Sequence, residues 1–253
     1  MEIAEHIERL AADGPLLTAA AASTGPDAPV PSCPEWVVRD LVRHVGGVHR
    51  WATGIVTGPR TQPWRVDLDE VVGTWPDDAS LLDWFGDGHA ALVRALSAAD
   101  PMLTCWTFLA AASPLAMWAR RQAHETAMHR VDAELAARRP ITPVPADFAA
   151  DGVDELLACF ITRPRRYPMS ADPPRSLRVR CTDTAGDWLV QIGPHSVATT
   201  APGADDGADC LISGPAENLY LALWNRRSSD GLTITGDDSV IYLFKDKVQV
   251  RWS

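Results

Sequence analysis

The sequence predicts an α+β protein in which an antiparallel four-helix bundle precedes a smaller α+β domain. Up to about residue 139, apolar residues recur at helical spacing in four long stretches. From about residue 177 they alternate instead, which is typical of strands. A linker with Pro140, Pro143 and Pro145 separates the two patterns. We therefore expect one domain at 1–145 and a second at 146–253.

Local signals set the limits of the bundle helices. In the first, Gly14-Pro15 is a candidate interruption. The second has Pro34 in its first turn, after Ser32 or Cys33 as the cap. Prolines and glycines at 57–77 indicate a long loop, and the last two helices each stop before a proline. The predicted helices cover residues 2–22, 34–55, 79–99 and 114–139.

The second domain mixes helices and strands. Two alternating segments, 177–182 and 187–192, flank the turn residues of 183–186 and predict a β-hairpin. A helix is expected before this hairpin and another after it. The remaining predictions are helices at 148–162 and 215–226, short strands at 196–200 and 209–212, and strand or mixed structure at 232–236 and 240–252.

The net charge and the cysteine content limit the possible partners of the protein and indicate its compartment. The net charge of −10 disfavours nucleic acid as a partner, because phosphate binding needs a basic face. A small acidic substrate stays compatible, since a local group of arginines can outweigh the global charge. From the first residues we expect no signal peptide, and no run of apolar residues is long enough to predict a membrane-spanning helix. The five scattered cysteines contain no CxxC pair and favour a reducing cytoplasm.

A candidate metal site follows from helical spacing. Glu125 and His129 are four residues apart, so their side chains leave the same face of the fourth helix. His44 lies between Leu41 and Val48 on the apolar stripe of the second helix. Two histidines and a carboxylate from different helices are a donor set for zinc or another divalent metal. Such a site is open to water or substrate, as catalytic zinc sites are.

Each residue of this triad also has a structural interpretation. His44 could be a buried core histidine, and Glu125 with His129 could be an ion pair on a solvated helix face. An inward Glu125 would nevertheless require a cation, because a buried unpaired carboxylate is costly. Asp132 is expected either to orient His129 or to pair with an arginine.

Two further histidines are set apart from the triad by helical spacing. His124 precedes His129 by five residues, so the two side chains diverge on an ideal helix. We therefore expect His124 to lie behind the ligands or at the surface. His49 is expected to point away from His44.

Three stretches of the chain resemble one protein family. VPSCPEWVVRDLVRH at 30–44 and RQAHETAMHRVDAE at 121–134 look like the N-terminal signatures of the mycothiol-dependent maleylpyruvate isomerase family. AENLYLALWNRR at 216–227, followed by LTITGD at 232–237, is similar to its C-terminal domain. The resemblance extends over nearly the whole chain.

The resemblance implies a fold and a metal centre. The first domain would be a DinB-like bundle that binds zinc, with His44, Glu125 and His129 at the ligand positions. The second would be a sterol-carrier-like α+β domain that covers the metal cleft. Mycothiol, the low-molecular-weight thiol of actinobacteria, would be the cofactor or cosubstrate.

The resemblance also implies a reaction class. A metal-stabilised thiolate would add to a small electrophile, giving either a maleylpyruvate-isomerase-like cis–trans isomerisation or an S-transfer. Arg226 is our candidate for binding an acidic substrate, although a solvated arginine at a helix end is the more common role of such a residue. Trp36 and Trp51 could line the pocket, but core packing is the preferred interpretation.

Two other classes of function compete with the enzyme. One is a non-catalytic protein of the same fold that binds a metal or a small ligand. The other is a regulatory module that senses zinc or thiol state. The expected partner is a small acidic electrophile, with no nucleic acid and no membrane, and the expected state is a monomer or homodimer.

Overall fold

The computed structural model describes residues 1–58, 60–64, 67–163, 169–203 and 207–250. The chain divides into two compact units, Met1–Thr142 and Pro143–Ser253. The first unit is helical and the second is α+β, so the predicted fold class is confirmed. The domain limits 1–145 and 146–253 stay a prediction.

The first unit is a bundle of four long helices with one short helix in a connection. Within the bundle, α1 packs against α4 and α5, and α2 packs against the same two helices. The helices are α1 (Ile3–Thr24), α2 (Val38–Thr57), α3 (Leu68–Val72), α4 (Leu81–Ala98) and α5 (Pro114–Ala136). Leu17, Leu41, Val45 and Phe85 belong to its buried core.

The start of α2 differs from the prediction. The helix begins at Val38, and Pro34 lies outside it. Residues 29–37, the 29–37 loop, instead fold back on themselves, and the Val30 N–H donates to the Trp36 carbonyl at 3.0 Å. This loop has the proline and polar residues that also mark a helix start, so local composition did not separate the two structures.

The predicted interruption of α1 at Gly14-Pro15 is wrong, because α1 runs through both residues. A Cβ at position 14 would overlap the ring of His89 on α4, so glycine allows the close approach of the two helices. His89 Nε2 donates to the Leu10 carbonyl at 2.9 Å. Tertiary packing therefore holds a helix that the local sequence disfavours.

The predicted loop at 57–77 is partly wrong, since it contains the short helix α3. The Asp67 side chain caps this helix by accepting a hydrogen bond from the Asp69 N–H at 3.2 Å. Residues 59, 65 and 66 of the predicted loop lie outside the described residues.

The second unit is a five-stranded mixed sheet with helices. The strand order is β3-β2-β1-β4-β5, in which only the β1–β4 pair is parallel. The predicted hairpin is confirmed, with Leu177 opposite Val190. The elements are α6 (Ala146–Asp154), a π-helical stretch (Glu155–Phe160), β1 (Arg175–Cys181), β2 (Asp187–Ile192), β3 (Val197–Thr200), β4 (Cys210–Gly214), α7 (Ala216–Leu223), β5 (Thr233–Gly236) and α8 (Ser239–Lys247).

The last predicted element is a helix rather than a strand or mixed structure. In α8, Val240, Ile241 and Phe244 are buried, and their spacing places them on one helical face. Residues 251 and 252 of that prediction lie outside the described residues.

Among the described residues, no helix combines the length and hydropathy that crossing a bilayer requires.

We expect Gly14→Ala to destabilise the protein by about 1–3 kcal/mol, because the added methyl group overpacks the contact with His89. Urea unfolding followed by circular dichroism measures the change in the free energy of unfolding. Gly86→Ala is the matched control, since Gly86 lies inside α4 and a Cβ added there would meet nothing within 4 Å. That change should stabilise the protein by about 0.5–1 kcal/mol. Equal effects of the two substitutions would contradict the packing role of Gly14.

Candidate metal centre

The structure brings the three predicted ligands together. His44 on α2 and His129 on α5 both face the same oxygen of Glu125. His44 Nε2 lies 3.1 Å from Glu125 Oε1, and His129 Nε2 lies 3.3 Å from it. One ligand atom from each residue lies within 4.8 Å of the other two.

These distances fit the donor set of a tetrahedral metal. Bonds of ~2.0–2.1 Å at tetrahedral angles place neighbouring ligand atoms ~3.3 Å apart. The two distances to Glu125 Oε1 are close to that value. Two imidazole nitrogens and one carboxylate oxygen suit zinc, and three protein ligands leave a position for an exchangeable group. His44, Glu125 and His129 could therefore hold a divalent ion.

Burial and hydrogen bonding set the charges of the triad in the metal-free protein. Burial lowers the pKa of His44. Burial by itself raises the pKa of Glu125, but the hydrogen bonds with His129 and His44 bring it well below its usual range. Burial also lowers the pKa of His129, but the hydrogen bonds with Asp132 and Glu125 outweigh it and raise the pKa to about 9. An ionised carboxylate thus faces a protonated His129 and a neutral His44 at pH 7.

Asp132 orients His129 from behind. Its Oδ2 lies 2.8 Å from His129 Nδ1, which leaves Nε2 directed toward Glu125. Its Oδ1 accepts a hydrogen bond from the Ser32 hydroxyl at 2.5 Å, and the Cys33 Sγ lies 3.9 Å from Oδ2. Of the two roles expected for Asp132, orienting His129 or pairing with an arginine, this geometry agrees with the first. No local pattern signals the contacts of Ser32 and Cys33, because 100 and 99 residues separate them from Asp132.

Arg121 is a site residue that the sequence reasoning missed. Its Nη2 lies 3.1 Å from Glu125 Oε2, the oxygen that does not face the histidines. The i, i+4 spacing on α5 was the available signal, because it places the two side chains on one helical face.

Trp36 forms one wall of the candidate site. Its ring centroid is 4.9 Å from that of His44 and 6.0 Å from that of His129. Trp51 instead packs edge to face against Trp118 at 5.1 Å within a buried aromatic cluster. The pocket interpretation thus fits Trp36, and the core interpretation fits Trp51.

The other histidines of these helices lie apart from the triad. His49 is buried, with Nε2 2.9 Å from the Thr126 hydroxyl, so its predicted divergence from His44 is confirmed. A surface position for His124 is wrong, because the side chain is fully buried. The ring of His124 lies 6.1 Å from that of His6 on α1.

Arg226 belongs to the second unit, just after α7. Its Nη1 donates to the Trp224 carbonyl at 2.8 Å. The preceding residue, Asn225, has a left-handed backbone with φ of 62°, which asparagine tolerates well at a helix end. The Asn225 amide donates to the Val248 carbonyl at 2.8 Å. The predicted substrate contact of Arg226 stays a prediction.

Two family profiles match the chain. One, described as the mycothiol maleylpyruvate isomerase N-terminal domain, matches residues 7–134. The other, described as the MDMPI C-terminal domain, matches residues 147–241. A search of curated proteins found no match to this sequence.

Solved structures share the fold. A crystal structure described as the mycothiol-dependent maleylpyruvate isomerase aligns with a TM-score of 0.64 and 14% identity over 93% of each chain. A histidine-to-alanine mutant of that isomerase gives a TM-score of 0.63 with the same identity and the same coverage of both chains. A UbiJ-SCP2 ubiquinone synthesis protein aligns at 22% identity over 41% of this chain and 92% of its own, but its TM-score of 0.28 supports no argument.

We expect Asp132→Asn to lower the pKa of His129 in metal-free protein, because a neutral amide favours the imidazolium less than a carboxylate does. The parent His129 should titrate at about 9. Because the pKa lies above its unfolded value, the stabilisation by this proton is complete below about pH 6.5 and is lost as the pH rises through about 9. Histidine NMR titration in the presence of a chelator measures the shift. Asp13→Asn, which changes another buried aspartate, should leave the titration of His129 unchanged. An unchanged pKa in Asp132→Asn would show that Asp132 does not act on this imidazole.

Proposed function

The chain belongs to the mycothiol maleylpyruvate isomerase family, and we propose that it is a zinc-dependent enzyme with mycothiol as its cofactor or cosubstrate. The proposed reaction begins with addition of a thiolate to an activated double bond, which becomes a single bond that can rotate. Elimination of the same thiolate then restores the alkene in the trans form. In the S-transfer alternative, the thiolate displaces a leaving group or opens an epoxide that then takes up a proton, and the S-conjugate is released. The main observation behind this proposal is that His44 Nε2 and His129 Nε2 both lie close to the same oxygen of Glu125, Oε1.

The donor types of the triad suit zinc, although without a metal Glu125 and His129 form an ion pair. A zinc ion held by these residues would supply a Lewis acid that stabilises the thiolate form of mycothiol. Ligand histidines have to be neutral, so the proton on His129 has to leave before this residue can act as a ligand. We therefore expect zinc affinity to increase as the pH rises toward about 9.

Two residues next to the triad would support it in different ways. Asp132 would fix the orientation of the His129 ring by accepting from Nδ1. Trp36 would exclude water from one side of both histidines, since its ring lies against them. A drier site strengthens every electrostatic interaction inside it.

The substrate side of the proposal rests on Arg226. Its guanidinium could pair with a carboxylate of an acidic electrophile through two hydrogen bonds. The five cysteines are thiols rather than disulfides, which suits a reducing compartment, and we propose a cytoplasmic monomer or homodimer.

We expect one zinc per chain in the parent protein and nearly none in His129→Ala, because the variant loses one of three donors. Metal analysis after dialysis against zinc-free buffer measures the stoichiometry. The control is His195→Ala, which removes an exposed histidine of the second unit and should retain full zinc. Stoichiometric zinc in His129→Ala would exclude this ligand set.

We expect mycothiol to produce a sulfur-to-metal charge-transfer band in cobalt-substituted protein, because its sulfur would enter the open position. Titration by ultraviolet absorption measures the band, and His129→Ala serves as the metal-free control. Cobalt binding without any band would refute the use of mycothiol. It would favour the non-catalytic alternative, a protein of this fold that binds a metal or a small ligand.

A further inference from the structure

The two oxygens of Glu125 have different partners. Oε1 faces the histidines, at 3.1 Å from His44 Nε2 and 3.3 Å from His129 Nε2. Oε2 faces Arg121 Nη2 at 3.1 Å. We propose that Arg121 is a positioning residue that restricts Glu125 to one metal-binding oxygen and so keeps a coordination position open for the thiol. This inference rests on the proposed function.

A carboxylate can bind a metal through one oxygen or through both. Binding through both would add a ligand atom and bring the protein donors from three to four. A catalytic zinc site needs its remaining position for an exchangeable group. A second carboxylate oxygen bound beside that group would raise the coordination number from four to five, and the crowded metal would accept a thiol less readily. The hydrogen bond from Arg121 to Oε2 would therefore keep the metal accessible to the thiol, in addition to fixing the position of Glu125.

Arg121 is suited to this restraint. A guanidinium cannot lose its proton in a protein, so it remains a hydrogen-bond donor to Oε2 at every working pH. Its side chain is 4% exposed and that of Glu125 is 14% exposed, so solvent screens the pair weakly. Both side chains leave one face of α5, which brings Arg121 within reach of Glu125. Because the two histidines occupy Oε1, the guanidinium meets Oε2.

The same helix contains a second buried arginine–glutamate pair at the same spacing. Arg130 Nη1 lies 2.8 Å from Glu134 Oε2. Both oxygens of Glu134 are bound by Thr142, through its N–H at 3.1 Å and its hydroxyl at 2.6 Å. This pair fixes the residues after α5, and neither Arg130 nor Glu134 belongs to the histidine–glutamate triad. It provides a matched comparison for the loss of a buried arginine.

The test is the visible spectrum of cobalt-substituted protein, because four-coordinate cobalt absorbs more strongly than five-coordinate cobalt. We expect Arg121→Met and Arg121→Gln to bind cobalt as tightly as the parent but to lose visible absorption severalfold, as Oε2 becomes a ligand. Arg121→Lys should keep the parent spectrum, because its ammonium group can still donate to Oε2. The control is Arg130→Met, or Arg130→Lys if the first does not fold, and it should also keep the parent spectrum.

Thiol affinity gives a second readout. In the two Arg121 variants that lose the restraint, mycothiol should need about a tenfold higher concentration to develop its charge-transfer band. That is the lower end of the losses in activity that follow removal of an outer partner of a metal ligand. Arg121→Lys and the Arg130 control should need the same concentration as the parent.

The outcomes separate this inference from the proposed function. A parent protein that binds no cobalt would refute the proposed function, and the role of Arg121 with it. A parent that binds cobalt, together with unchanged spectra in Arg121→Met and Arg121→Gln, would overturn the role of Arg121 alone. Loss of cobalt from either variant while it remains folded would overturn that role too, because freeing Oε2 should add a bond to the metal rather than remove one.

Discussion

The charge of Glu125, whose side chain is largely buried, is the constraint on which the first unit depends. A carboxylate at this depth is tolerated only when positive groups or a metal surround it. The surrounding groups come from two helices, with His44 on α2 and Arg121 and His129 on α5. Packing of α2 against α5 therefore has to satisfy an electrostatic requirement as well as an apolar one. The apolar residues beside His44, among them Leu41 and Val45, hold α2 where that requirement is met.

Much of the fold and the core of the site could be predicted from the sequence because both follow from periodicity. The long apolar stripes define the bundle helices, and alternation defines the β1–β2 hairpin. Within a helix, a four-residue separation places Glu125 and His129 on one face. His44 required one further assumption, that a histidine on an apolar stripe points inward, and the buried side chain agrees with it.

The rest could not be predicted, because it depends on contacts between residues far apart in the chain. The 29–37 loop has the residue types of a helix start, but pairing across the loop delays α2 to Val38. Gly14 resembles a helix breaker until the ring of His89 is placed beside it. Ser32 and Cys33, which contact Asp132 from the 29–37 loop, lie about a hundred residues away from it, beyond the reach of any local pattern.

The separation between the 29–37 loop and α5 also bears on when the site can form during synthesis. A nascent chain that ends before α5 has His44 and the loop, but it lacks both Glu125 and His129. It thus offers a single donor, too few to retain an ion against cellular chelators. If the triad holds zinc as proposed, metal capture would therefore follow translation of α5, and the order of His44, Glu125 and His129 along the chain would prevent earlier loading on the ribosome.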